Sequence, residues 1–563
     1  MWQSTSHSTG DGNSGGDHAL HHRRNRAVDL DIPGTSRANG VHEDDCHYPF
    51  ATAVLTFWSQ LTVTENPKQE LNRARRRALT HRGSGLGAAG VLALGGAGAL
   101  LAAFAGTAGA AATIVVDSGA DGVANSANCT DGTPGNCTLR DAAALAVDGD
   151  TINFAADVSL VTLTGEDIDF AAVNIIGPGS GLVAVNASGV TDGQAFYFNE
   201  GSVGDVIISG ITLTGNRIYA FPSGVLTLDD VSITGSSAEY GGALYHGSAD
   251  LVIVNSNFDS NIATERGGAI YAYGSGSVTI SGSSFTNNQA TARGGAIYVS
   301  SNVTNFTMTN SSISSNSARS GGGAQLGNYG TAEFSGTAIF NNSAQEGGGI
   351  VKFGGSGSSS ALTLNNSTMT GNSASSFGGA IYLYGNTDFI ANQSTITGNN
   401  SSNGGAIAVS SSEPVLTLSG TILAGNASTP VLASNMSTAA IGGYDIVSFG
   451  GAMNLNASNS ILGDIDPDFS IVGSNNINTT NPMVGALASN GGRTMTMALL
   501  PGSPAIDAGP NPVATFFGNT SDQRGAPWVR IYNGIADIGA FEVQPAPNPA
   551  PNPDNQVIPA FTG

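Results

Sequence analysis

Between Gly241 and Asn426 the sequence repeats one short device seven times. Paired glycines begin at Gly241, Gly267, Gly294, Gly321, Gly347, Gly378 and Gly404, at spacings of 26, 27, 27, 26, 31 and 26 residues. An asparagine trails each pair: Asn261, Asn288, Asn316, Asn342, Asn372, Asn399 and Asn426. An apolar residue, such as Phe258, Phe285 or Ile313, stands three or four places before it. A fixed period in this range means stacked supersecondary units. Leu213-Thr-Gly-Asn216 and Ile233-Thr-Gly-Ser236 carry the series upstream.

No unit holds a segment long enough for a helix. Each holds short runs with period-2 alternation, as in "AIYAY", "SVTIS" and "SSFTN". Short strands joined by Gly- and Asn-rich corners, each coil about 4.8 Å above the last, make a right-handed parallel β-helix. Ile270, Val278, Ile280 and Phe285 are expected inside, the glycines at a corner that needs positive φ or close backbone approach. The asparagines are expected to bond to one another from coil to coil. About ten coils fit between residues 150 and 440. The longer gap before Gly378 implies a loop insertion at Gly354–Ser360.

Composition agrees with such an array. Charged residues are 11% of the 563, glycine accounts for 79, and 40% are hydrophobic, which is too apolar for a disordered chain. The net charge of −22 is unevenly spread. Residues 1–112 carry ten of the nineteen Lys+Arg and nine of the forty-one Asp+Glu. The remaining body is strongly acidic and has one lysine, Lys352. Nucleic acid and anionic membrane both need clustered Lys/Arg, so neither is an expected partner.

Leu71–Ala112 has a basic leader, an apolar run of small residues and Leu, and Ala-x-Ala exits at Ala108–Ala110 and Ala110–Ala112. Those are the parts of a secretory signal, and the mature chain is expected to begin near Ala111 to Thr113, with no membrane span. Residues 1–70 are then a disordered extension or a mis-assigned start, with translation beginning at a codon such as that of Val63. An uncleaved anchor is the alternative. Cys129 and Cys137 flank a Gly-Pro turn in the exported part and are expected to form a disulfide. A metal pair is the weaker reading, because no further His or Cys stands nearby. "CTLRDAAALAV" (Cys137–Val147) is the one convincing helix, with Thr138 and Asp141 as a capping box, and is expected to cap the first coil.

Three motifs resemble known families. The "GGAIY" and "FTNN" alternation (Gly267–Tyr271, Phe285–Asn288) resembles the repeats of polymorphic outer-membrane proteins. "CTLRDAAALAVDGDTINF" (Cys137–Phe154) is similar to the CSLREA-type domain of exported bacterial β-helix proteins. Asn481–Gly509, with "DQRG" (Asp522–Gly525) and "DIGAFE" (Asp537–Glu542), resembles the choice-of-anchor Q domain. The resemblance implies export and display at a bacterial surface; it brings no reaction. It divides the chain into an N-terminal cap (113–160), β-helix repeats (161–440), a C-terminal cap region (441–543) and a Pro-rich tail (544–563). That tail lacks an apolar anchor helix, and "VIPAFTG" faintly resembles the start of an IPTL-type sorting signal.

Three candidate sites follow. If Ile270 and Ile297 face in, Tyr271 and Tyr298 face out, with Tyr245 and Tyr382 at matching positions and Tyr273 and Tyr384 two residues on. Such a stripe of exposed aromatics can stack on sugar rings, against the plainer reading of β-surface filling. Arg266 and Arg293 sit just before glycine pairs, near Glu239, Asp259, Glu265 and Glu346. A β-helical polysaccharide lyase needs a base and Ca²⁺-holding carboxylates, and arginine is a poor base. Asp507, Asp522, Arg524, Asp537 and Glu542 read as a salt-bridged cap on the last coil, with Ca²⁺ at those acids as the sharper alternative. No resident metal or cofactor is expected. The leading expectation is non-enzymatic adhesion to a polysaccharide or cell-surface partner. A pectate-lyase-like lyase or hydrolase and a passive envelope protein are the alternatives.

Overall fold

A computed structural model describes residues 111–546, apart from 192, 200, 248, 328–329, 356–359, 412, 429–442 and 512–519. The N-terminal extension, nearly all of the signal-type segment, most of the Gly354–Ser360 insertion and the tail from 547 lie outside the described residues. All that follows concerns one compact unit, Leu92–Gly563.

One coil shows the plan. Leu251–Val254 lies in a first sheet, Asn257–Asp259 in a second, and Ile270–Ala272 in a third. Ile262–Arg266 forms a short flank strand between the second and third. Each strand pairs in parallel with its equivalent one coil later: Leu251 with Val278, Phe258 with Phe285, Ile270 with Ile297. The three sheets run to 14, 13 and 11 strands, so this is an all-β parallel solenoid. Inward positions are apolar and stack on themselves; the Phe258 and Phe285 rings are parallel within 1° at 4.8 Å, one coil rise. Ile270, Val278, Ile280 and Phe285 are all buried.

Each coil turns its corners on left-handed residues. Between the first and second sheets these are Asn255, Gly282, Asn310, Gly336 and Asn366; between the second sheet and the flank strand they are Ser260, Asn287, Ser315 and Asn341. Both corners tolerate a short polar side chain, because Asn and Ser can adopt this conformation at modest cost. The third corner does not. Gly267 has φ +67°, and a Cβ there would overlap the carbonyl of Ile270; a Cβ on Gly268 would overlap the carbonyl of Gly295 in the next coil. The pair is therefore obligatory for two separate reasons, backbone conformation at the first glycine and inter-coil contact at the second.

The asparagines form a buried hydrogen-bonded column. The side-chain amide of Asn288 donates to Asn316 Oδ1 (3.0 Å) and to the Phe258 carbonyl (2.9 Å), and its backbone N–H donates to the same Asn316 oxygen (2.8 Å). The pattern repeats at Asn261, Asn316, Asn342, Asn372 and Asn399, so each carboxamide is fully used. Asn426 ends the series on a carboxylate: Asp445 Oδ1 accepts its backbone and side-chain N–H at 2.8 and 2.7 Å. A second column runs beside the first corner, where Ser283 Oγ accepts from the Ser256 N–H and Ser311 Oγ from the Ser283 N–H.

At the N-terminus, Leu139–Leu145 is helical, with the reciprocal Thr138–Asp141 capping box. Its Leu139, Ala142 and Ala143 are buried in the solenoid core. Arg140 reaches over to Asp121 (2.8 Å) and to the carbonyls of Glu166 and Asp167, and Cys129 and Cys137 are joined as a disulfide. The C-terminal segment runs back along the side of the coils, over the second sheet. There Leu499, Ala505, Ile538 and Phe541 pack on Ile422, Ala424 and Ile461 in a second core.

Replacing a mid-column asparagine strands buried partners on both sides. Asn316→Ala is expected to cost about 3–5 kcal/mol, whereas Thr279→Ala on the exposed first sheet should stay within about 0.5 kcal/mol; denaturant titration measures both. Burial also raises the Asp445 carboxyl from 3.8 to about 6, against the pull of the Asn426 donors. A raised carboxyl stabilises the folded state fully below its unfolded pKa, and that contribution is lost as pH rises through about 6. The melting temperature of the parent relative to Asp445→Asn should therefore fall as pH rises from about 4 to about 6.

Candidate functional site

The outward positions of the third sheet place one side chain per coil in a single column. Its order is Asp169, Tyr197, Tyr219, Tyr245, Tyr271, Tyr298, Gln325, Val351, Tyr382, Ala408, Val447. Five consecutive tyrosines stack, with centroids 5.5, 4.7, 5.0 and 5.2 Å apart. Tyr197 and Tyr219 escape the sequence reading because they precede the first glycine pair, the mark that locates the others.

Outward does not mean exposed, and this corrects the expected stripe. Tyr271 and Tyr298 are 7% exposed and Tyr382 is 9% exposed. The glycine elbow brings the flank strand against the third sheet, so Tyr240 packs on Tyr271 at 5.2 Å and Arg266 lies over Tyr298 at 5.3 Å. Within the stack the ring faces cover one another, so Tyr219, Tyr245 and Tyr271 offer no face to a sugar. Burial holds the Tyr245 and Tyr271 hydroxyls well above their usual range and pushes Tyr382 up to about 12, so all three stay protonated at neutral pH. Tyr273 and Tyr384, one column further on, differ: they are 46% and 44% exposed. Tyr273 lies nearly parallel to Tyr271 (9°) at 6.2 Å, and Tyr384 packs on Phe353 at 5.0 Å.

The column thus carries two aromatic groups. The first centres on Tyr245, Tyr271 and Tyr273. The second joins Tyr382, Phe377, Tyr384 and Phe449 by ring contacts of 5.2 to 6.1 Å. Between them lies the coil of Gln325, which is 1% exposed and whose Oε1 has no hydrogen-bond partner.

Arg266 and Arg293 occupy successive rungs of the flanking column, followed by Ser320, Glu346, Phe377 and Asn403. Ser320 takes the third rung, and Arg319, one place before it, turns aside to donate to Gln345 (3.3 Å). Arg266 donates to the Tyr298 hydroxyl at 3.4 Å. Asp259 lies on the second sheet, a different face from Glu265 and Glu346. Two ionisable groups point into the coil. His246 lies between Ala220 and Ala272, and burial lowers it to about 4. Lys352 is fully buried and lowered by burial to about 7, and its Nζ donates to Ser360 Oγ and the Phe353 carbonyl.

The C-terminal polar set closes on itself, and it does so on the flank of the solenoid, not over its last coil. Asp522 forms a bidentate pair with Arg524, Nη2 to Oδ2 at 2.6 Å and Nε to Oδ1 at 3.2 Å. The Arg524 guanidinium is sandwiched between Trp528 (3.7 Å) and Phe541 (3.9 Å). Glu542 accepts from the N–H groups of Tyr532 and Asp537 and faces Arg530 at 3.4 Å. Asp537 accepts from the N–H groups of Val543 and Asp507. Arg530 and Gln523 are members that sequence reasoning missed. Gln523 is the docking residue, held by Thr368 and Thr494 and reaching the Thr337 carbonyl. With Gly539 N–H on the Gly420 carbonyl, these contacts span four coils of the first corner. Among the described residues no group of three or more His, Cys, Asp or Glu is arranged to hold a metal ion.

Residues 241–426 match the family described as "Right handed beta helix region". Comparison with curated proteins gives no match. Among solved structures the chain is similar to one titled "Crystal structure of pectate lyase Pel9A", at 16% identity and a TM-score of 0.34, over 77% of this chain and 96% of that one. The protein is an all-β parallel solenoid that contains a right-handed β-helix region.

Proposed function

We propose that this is an exported binding protein that holds a carbohydrate polymer against the outer face of its third sheet and does not turn it over. The observation that carries the reading is the pair of exposed tyrosines, Tyr273 and Tyr384, standing on a floor of packed aromatic rings. An exposed phenol on a rigid support offers a large apolar platform with a polar edge, which suits the apolar face and hydroxyl rim of a sugar ring. Arg266 and Arg293 give the same face hydrogen-bond donors along one side. Export is supported by the signal-type segment Leu71–Ala112 and by a disulfide that belongs in an oxidising compartment. Display at a bacterial surface rests on the motif resemblances at Cys137–Phe154 and Asn481–Glu542.

The test is affinity electrophoresis of the protein in gels containing soluble polysaccharides, run beside an assay for new reducing ends and unsaturated products. Retardation without product is expected, and turnover of any polymer would overturn the reading. Tyr273→Ala and Tyr384→Ala should each weaken retention by about 2- to 10-fold with an unchanged melting temperature. Tyr271→Ala should instead lower stability by about 3–5 kcal/mol.

A further inference from the structure

The two exposed tyrosines occupy one column. Tyr273 is followed coil by coil by Ser300, Gly327, Phe353 and Tyr384, as the neighbouring pairings Ala272–Val299, Val299–Leu326, Leu326–Lys352 and Phe353–Tyr384 require. Four coil steps separate the platforms, about 19 Å at about 4.8 Å each. Between them the column is low: Ser300 is buried, with its hydroxyl turned to the Tyr273 carbonyl, and Gly327 has no side chain. The result is a trough along the solenoid axis with an aromatic shoulder at each end.

A second observation stands midway. Gln325 is on the central coil of the five, in the column adjoining Gly327, and it is 1% exposed with a carboxamide oxygen that has no partner. A buried acceptor left unmade costs about 1–3 kcal/mol. The terminal torsion of a glutamine is soft, so a small rotation presents the oxygen to a donor laid in the trough. A hydroxyl of a bound polymer would fill that deficit.

We infer that the site selects a linear, extended, hydroxyl-rich polymer by length, with Tyr273 and Tyr384 as terminal platforms and Gln325 as the central hydrogen-bond acceptor. This deepens the carbohydrate-binding reading and rests on it. A sugar unit of an extended chain advances by roughly one coil rise, so about five units are needed to touch both platforms. Shorter chains reach one tyrosine only. The second contact made by a longer chain is intramolecular and carries its own gain in affinity.

The experiment is calorimetric titration of the full chain with cello-, xylo-, chito- and galacturono-oligosaccharides of two to eight units. For the series that binds, affinity should rise by about tenfold or more between three and six units and then level off. Tyr273→Ala and Tyr384→Ala should each abolish that rise while leaving the affinity for two-unit chains within about twofold, and the double variant should lose the binding of two-unit chains as well. Gln325→Leu should weaken the longer chains selectively, with melting curves confirming the fold. Equal affinity for two and eight units overturns the length selection and leaves the binding face standing. No binding in any series overturns both.

Discussion

A chain can stack on itself coil after coil only if every corner reverses its direction without moving the next strand out of register. Everything else in this protein depends on that constraint. One left-handed residue per corner supplies the turn, and a column of side chains pins it. The asparagine column does this at the second corner, with each carboxamide bonded above and below and the final acceptor supplied by Asp445. A slip of one residue would turn Ile270, Phe285 and their equivalents outward and unmake the column at the same time. Core and corner therefore enforce the same register.

That coupling explains how much of the fold is legible in the sequence. Gly267-Gly268 and Asn288 recur because few residues meet their geometric demands, with Ser236 standing in for asparagine upstream, so the period, the third corner and the second corner can be read directly. The first corner is harder to read. It accepts Asp230, Asn255, Gly282 or Gln393 in the left-handed conformation, and its pinning column mixes Ser256, Ser283, Thr337 and Thr421. Small polar residues are so common in this chain that such a column does not stand out.

The candidate site was legible in direction and illegible in depth. Alternation correctly turns Tyr271 away from Ile270, but it cannot show that the glycine elbow folds Tyr240 and Arg266 over the rings. Burial of an outward side chain is a property of the corner, not of the strand. The C-terminal region fails for a related reason. Its polar residues do pair among themselves, and the polar part of the surface they dock on includes Asn366, Thr368 and Thr395, buried beneath it. Positions equivalent to Thr368 and Thr395 nearer the N-terminus, such as Ser232 and Asn257, remain half-buried. The covered coils do carry an apolar mark, outward Ile422 and Ile461 beside inward Leu423 and Leu462, but two-residue runs show no alternation, so a flank strap reads as an end cap.

The tyrosines of one face divide into a buried stack that supports the solenoid and two exposed rings, which we propose meet the ligand. Nitration of the tyrosines, mapped by mass spectrometry with and without bound polysaccharide, tests that division most directly. Tyr273 and Tyr384 should react in the free protein and be protected by the polymer, while Tyr271 and Tyr298 stay unreactive in both states. Unchanged reactivity of Tyr273 and Tyr384 with polymer bound, or ready nitration of Tyr271, would contradict it.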